Sequence, residues 1–129
     1  MSIEWFMGGF VMEKGIQTVS ALALGVVFVV IGIVGFVFDP LLSIFNVNAA
    51  QNVVHLVTGA VAIVCAVWGG VLASRWYNRI FGGVYAALAI LGFVGVVAVS
   101  AFLDMNVADH WLHAGIGVVQ LVIGFGMKD

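Results

Sequence analysis

The sequence predicts an all-α membrane protein: a four-transmembrane-helix bundle made of two tandem helical hairpins. Three observations carry that expectation. Hydrophobic residues make up 64% of the 129 positions and charged residues only 8%, with a mean hydropathy of +1.27. Four apolar stretches approach or exceed the roughly 20 residues that a helix needs to cross the hydrocarbon layer. The chain also repeats itself at an offset of 58 residues. A soluble domain is about 45–50% apolar and about 25% charged. This composition therefore excludes an ordinary soluble enzyme, a disordered chain and a disulfide-stapled secreted module.

The elements follow in order. Residues 1–16 hold Trp5, Phe6, Phe10 and Met12, which suit a short piece lying in the membrane interface. The first span, 18–38, contains no charge and stops at Asp39-Pro40, because proline cannot continue the hydrogen-bond ladder. The second span is read at 52–73, the third at 80–103 and the fourth, the least uniform, at 108–127. Short connections predict a compact antiparallel bundle. The four-span domain thus occupies 17–129, with a first repeat at about 17–73 and a second at about 78–127.

Charge sets the expected orientation. With four spans, Lys14, Arg75, Arg79 and Lys128 fall on one side, while Asp39, Asp104 and Asp109 fall on the other. The positive-inside rule then places both termini in the cytoplasm. Trp76 and Tyr77 sit where an inner aromatic belt is expected, and Trp111 where an outer one is.

The repeat is visible in two segments, NAAQNVVHLVTGAVAIV at 48–64 and NVADHWLHAGIGVVQLV at 106–122. They align Asn48 with Asn106, His55 with His113 and Gly59 with Gly117. The same offset places Gly25 on Gly83. Two hairpins of the same orientation imply a pseudo-twofold axis along the membrane normal.

These segments also carry a resemblance. The pattern from Asn46 to Gly59, the Arg-aromatic run at 75–79 and the NVADHWLHAGIG run at 106–117 resemble a family of small four-helix membrane proteins of bacteria and archaea. That family is catalogued as domain of unknown function number 4383. The resemblance extends from about Gly15 to the C-terminus; it implies four spans and a membrane location, and it implies no reaction.

Ionisable residues inside a span are costly and call for a reason. Helical spacing puts His55, Gly59, Ala62, Ala66 and Gly69 on one face, and His113, Gly117, Gln120 and Gly124 on another. Small faces allow close approach, so the second and fourth spans are expected at the pseudo-twofold axis with the two histidines close together. Asn48, Asn52, Asn106 and Asp109 complete the polar cluster. The leading reading is a structural lock, with His55 donating to a carbonyl or Asn106 and His113 bonding Asp109 or Asn48. Gln120 is expected to bond across helices, and Gly25, Gly32 and Gly35 to form a helix contact.

Three sharper readings stand beside it. His55 and His113 have the chemistry to serve as axial ligands of a haem b or other tetrapyrrole, with Gly59 and Gly117 leaving room for the ring; the lack of Lys or Arg on that side weighs against it. His55, His110, His113 and Asp109 offer nitrogen and oxygen ligands of a kind zinc or copper accepts. A channel or transporter needs a polar path past Gln120. No nucleophile–base pair, phosphate loop or paired carboxylates are present, so no enzyme and no cofactor are expected. Four basic residues and a net charge of −2 argue against nucleic acid, and a lone Cys65 offers no disulfide or cysteine metal site. The expected partners are the bilayer and either a second copy or a larger membrane complex.

Overall fold

The computed structural model describes residues 2–5, 7 and 14–128. The described chain is helical apart from its connections and one isolated bridge between Leu41 and Phe45. Helix α1 spans Ile16–Val34. Helix α2, Ala49–Val64, runs on into a π-helical turn at Cys65–Gly69. Helix α3 is Gly70–Phe93, α4 is the short Val97–Leu103, and α5 is Val107–Leu121, followed by a second π-helical turn at Val122–Gly126. Half of the expected interfacial piece, 1–16, lies outside the described residues. Residues 3–5 within it form a helical turn with Trp5 exposed.

The chain reverses at Gly70, whose φ of 69° is open to glycine and strained for other residues. Tyr77 Oη donates to the Thr58 carbonyl at 3.2 Å, and Tyr85 Oη lies 3.4 Å from Thr58 Oγ1. A straight helix would separate residues 58 and 77 by roughly 28 Å. The turn was expected at 74–79, where the charges cluster. Arg75 and Arg79 instead sit within α3, and the glycine pair makes the bend. The third leg correspondingly ends at Phe93, not at 103, because Gly95 (φ 82°) breaks it before α4. Two helical stretches, not four, reach the length and hydropathy of a membrane crossing: Ile16–Val34 and the continuous 45-residue run Ala49–Phe93. The regular part of α5 stops after 15 residues, where its π-turn begins.

Glycines bring the legs of each hairpin together. A methyl group on Gly59 would lie 2.8 Å from Gly25 O and 2.9 Å from Val29 N; one on Gly117 would lie 2.6 Å from Ala86 N and 3.1 Å from Gly82 O. Gly35 meets Asn52, and Gly92 meets His110, in the same relation. The repeat is therefore structural, but its register differs by leg. The second legs correspond at 58 residues, whereas the first legs correspond at 57. The partner of Gly25 is thus Gly82 and not Gly83, which faces open space. The buried series confirms it: Gln17, Ala21, Gly25, Phe28 and Gly32 match Ser74, Asn78, Gly82, Tyr85 and Ala89.

Helices α1 and α3 run parallel and meet near the pseudo-twofold axis. Phe28 and Tyr85 stack there with ring centroids 5.3 Å apart. Asn78 Nδ2 donates to Gln17 Oε1 at 2.9 Å. The second legs, α2 and α5, were expected at the axis. Their small faces are used up inside each hairpin, against α1 and α3, so they flank the axis instead. The interior is rich in polar groups, among them Gln17, Asn52, Asn78, Asp109, His113 and Gln120, while Val, Leu, Ile, Phe and Trp side chains cover the outside.

Candidate functional site

The polar groups gather at two ends of the bundle. At the end where α2 and α5 begin, each helix opens on an asparagine. Asn48 Oδ1 accepts the Gln51 N–H at 2.8 Å, and Asn106 Oδ1 accepts the Asp109 N–H at 2.9 Å. Such N-caps satisfy backbone donors that a helix start leaves open. The other half of each side chain crosses to the opposite repeat. Asn48 Nδ2 donates to Phe102 O at 2.9 Å, and Asn106 Nδ2 donates to Ile44 O at 2.8 Å. Residues 44 and 48 correspond to 102 and 106, so the two bonds form a reciprocal clasp. The Asp109 carboxylate closes a capping box by accepting the Asn106 N–H at 2.8 Å. With its amide nitrogen turned inward, the corresponding Gln51 donates to Asn46 O at 2.8 Å and Leu103 O at 3.2 Å.

Below the clasp four rings form a row across the pseudo-axis: His55, Phe28, Tyr85, His113. Their successive centroid distances are 5.8, 5.3 and 5.4 Å. His55 stacks on Phe28 and His113 packs on Tyr85, while both histidines line one cavity. Neither forms the expected lock. His55 Nδ1 and His113 Nδ1 are buried without a hydrogen-bond partner, and Asp109 is spent on its cap. The asparagines carry the lock because they reach the opposite repeat's carbonyls directly. His110 Nδ1 is likewise unpartnered, and its ring packs on Gly92 and edge-on to Phe93 at 5.6 Å.

A cavity of about 330 Å³ lies under the turn at 41–47, between α1 and α5. His55, His113, Gln51 and Asp109 line it together with Phe28 and Phe45.

The structure bears on the ligand readings directly. Gly59 and Gly117 leave no slot for a flat ring, because partner backbone fills the space beside each. These residues do not fit a haem held between His55 and His113. Among the described residues no three His, Cys, Asp or Glu side chains come together as a metal site, so the set His55, His110, His113 and Asp109 is not assembled for an ion. Gln120 was expected to bond across helices; it is fully buried and neither amide atom finds a partner. Tyr77 is buried, not in an aromatic belt, whereas Trp76 and Trp111 are exposed.

The opposite end holds a polar set that the sequence reading passed over. Gln17 Nε2 donates to Ile123 O at 2.6 Å and Met127 O at 3.1 Å, and Arg79 Nε donates to Gly124 O at 2.7 Å. These bonds occupy carbonyls in and just after the second π-turn. Arg79 also lies over the rings of Trp76 and Phe125, 5.2 and 4.7 Å from their centroids. Asn78 joins Gln17 and Ser20. A visible signal was available: Gln17 and Asn78 are amides next to long apolar runs, a position that calls for a partner.

The chain belongs to the family described as Domain of unknown function (DUF4383), which matches residues 18–126. No curated protein and no solved structure matches it. It is a membrane-associated helical protein of a family without an assigned activity.

Proposed function

We propose that this DUF4383 protein is a non-enzymatic, four-span integral membrane protein. In this reading it is a structural or accessory component of a bacterial or archaeal cytoplasmic membrane, with both termini in the cytoplasm. The observation that carries it is the inside-out distribution of side chains. Amides, histidines and a carboxylate fill the interior, while residues such as Val37, Trp68, Leu72, Val97 and Phe102 are more than three-fifths exposed. Large exposed apolar surface requires a partner, and a bilayer on all sides supplies one. The reversal at Gly70 divides the 45-residue run into two legs, and α5 with its π-turn adds a leg of 20 residues at 107–126. Each leg then approaches the length of the hydrocarbon layer.

The two hairpins are locked by the asparagine clasp rather than by the histidines. Reciprocal bonds that join the two repeats at the exposed rim of the bundle suit a scaffold.

Reporter fusions in a Gram-negative host test the topology. A cytoplasm-dependent reporter after Asp129 is expected to be active, and a periplasm-dependent one inserted at 42–44 is expected to be active. Periplasmic activity at the C-terminus would overturn the orientation. Equal activity of one reporter at both points would overturn the four-span count.

A further inference from the structure

The two hairpins are not equivalent where they face one another across the bundle, and the difference leaves one groove open. The groove between α2 and α3 is filled by a stripe of rings on α3: Tyr77, Phe81 and Tyr85. Tyr77 and Phe81 stack at 4.6 Å, and both tyrosine hydroxyls reach Thr58. The corresponding positions on α1 are Ser20, Leu24 and Phe28. Leu24 is far smaller than Phe81, and Ile116 replaces the Thr58 that the tyrosines bind. The matching groove, between α1 and α5, is therefore hollow. It holds the cavity of about 330 Å³ under the 41–47 turn and, sharing Leu24, Leu112 and Ile116 with it, a second hollow of about 350 Å³ that runs on to Val119. Val27, Leu42 and Leu112 on the rim are exposed, so the groove opens on the flank of the bundle.

The two hollows differ in chemistry. The one nearer the clasp contains polar side chains that are more than nine-tenths buried, His55, His113, Gln51 and Asp109. The imidazoles have unspent hydrogen-bonding capacity. The lower one is lined by aliphatic residues with Trp111 and Gly115. A volume near 300 Å³ is at the small end for ligand sites, which are mostly apolar with a few placed polar groups. Among the described residues no Lys or Arg lines either hollow, and the Asp109 carboxylate there disfavours a phosphate or carboxylate head. Phe28, Phe45 and the two imidazoles present ring surfaces, which suit a flat head.

We propose that the α1–α5 groove binds a neutral prenylated quinone or its hydroquinone, with the oxygenated ring against His55 and His113 and the isoprenoid tail along Leu24, Ile116 and Val119. The proposal rests on the chain being embedded in a bilayer, as read above, and it concerns binding alone.

The test uses the full-length protein in detergent and a decyl-substituted benzoquinone as probe. Binding is read by quenching of tryptophan fluorescence, with Trp111 beside the groove and Trp111→Phe as the control for signal origin, and by the shift in unfolding temperature. Saturable binding is expected, weakened at least tenfold by Leu24→Phe, which copies the ring that plugs the other groove. His55→Phe and His113→Phe keep a ring in the row and remove its nitrogens; each is expected to weaken binding severalfold. Retention of fold is read from unchanged helical circular dichroism. Non-saturable partitioning, identical in the wild type and Leu24→Phe, would overturn the proposal. So would displacement of native lipid by dioleoylglycerol but not by the quinone, which would assign the groove to acyl lipids. Reporter topology is read independently, so failure of the membrane reading and failure of the binding site are separable.

Discussion

The two hairpins share a backbone plan and differ in what they place at the centre. Both begin their second leg on an asparagine, cross their legs at glycines and end in a π-helical turn. Yet the first leg of one carries Ser20, Leu24 and Phe28 where the other carries Tyr77, Phe81 and Tyr85. Contacts made by backbone and by small residues tolerate little variation, because close helix approach leaves no room for a side chain. In the grooves between hairpins these positions are filled by side chains alone, and there the copies have diverged. Pseudo-symmetry in this protein is thus kept at the Gly25–Gly59 and Gly82–Gly117 crossings and at the asparagine clasp, and relaxed where the two grooves are filled or left hollow.

That contrast is open to experiment. The largest effect is expected for Tyr77→Ala, which empties the filled groove and strips the Thr58 carbonyl of its donor; a loss of about 3–5 kcal/mol in detergent unfolding is the range for a large buried ring. A loss under about 1 kcal/mol would mean that the filled groove contributes no more than the hollow one. Asn48→Ala and Asn106→Ala are each expected to cost about 1–2 kcal/mol, the range for an N-cap. The double variant should deviate from the sum if the two bonds act as one clasp, and strict additivity would show two independent caps.

A smaller pair of effects sharpens the register. Gly82→Ala places a methyl 3.0 Å from Leu121 N and is expected to destabilise by about 1 kcal/mol. Gly83→Ala meets nothing and is expected to be neutral or stabilising by a few tenths to about 1 kcal/mol, from helix propensity. The opposite order would restore the 58-residue correspondence of Gly25 with Gly83. Finally, Gln120→Leu removes a buried amide without partners and is expected to raise stability by up to about 1 kcal/mol. A drop would show that the amide is bonded in the membrane-embedded protein.

Much of the fold was legible. Apolar run lengths gave the helical legs, and the 48–64 and 106–122 match gave the duplicated hairpin. The Gly25, Gly32 and Gly35 stripe was read correctly as a helix contact, since all three face α2. The site was less legible. His55 and His113 do line one cavity at the expected end, but the ring contacts that each makes depend on Phe28 and Tyr85, which look like generic apolar residues in a span. Asn48 and Asn106 were recognised as a pair; that each also reaches the opposite repeat was not, because a cap and a crossing bond leave the same residue in the sequence.

Composition and periodicity by themselves determined that this chain is a helical, duplicated, membrane-type protein, because hydrophobic length and spacing are properties of a segment taken alone. They also placed the polar cluster at one end of the second and fourth legs. The tertiary structure decided where the chain turns, since reversal at Gly70 depends on a backbone angle that charge clustering does not report. It decided which legs meet at the axis, because the small faces had two candidate partners and took the one within the hairpin. It also decided which groove is filled, a matter of side-chain volume from two distant segments meeting in one place.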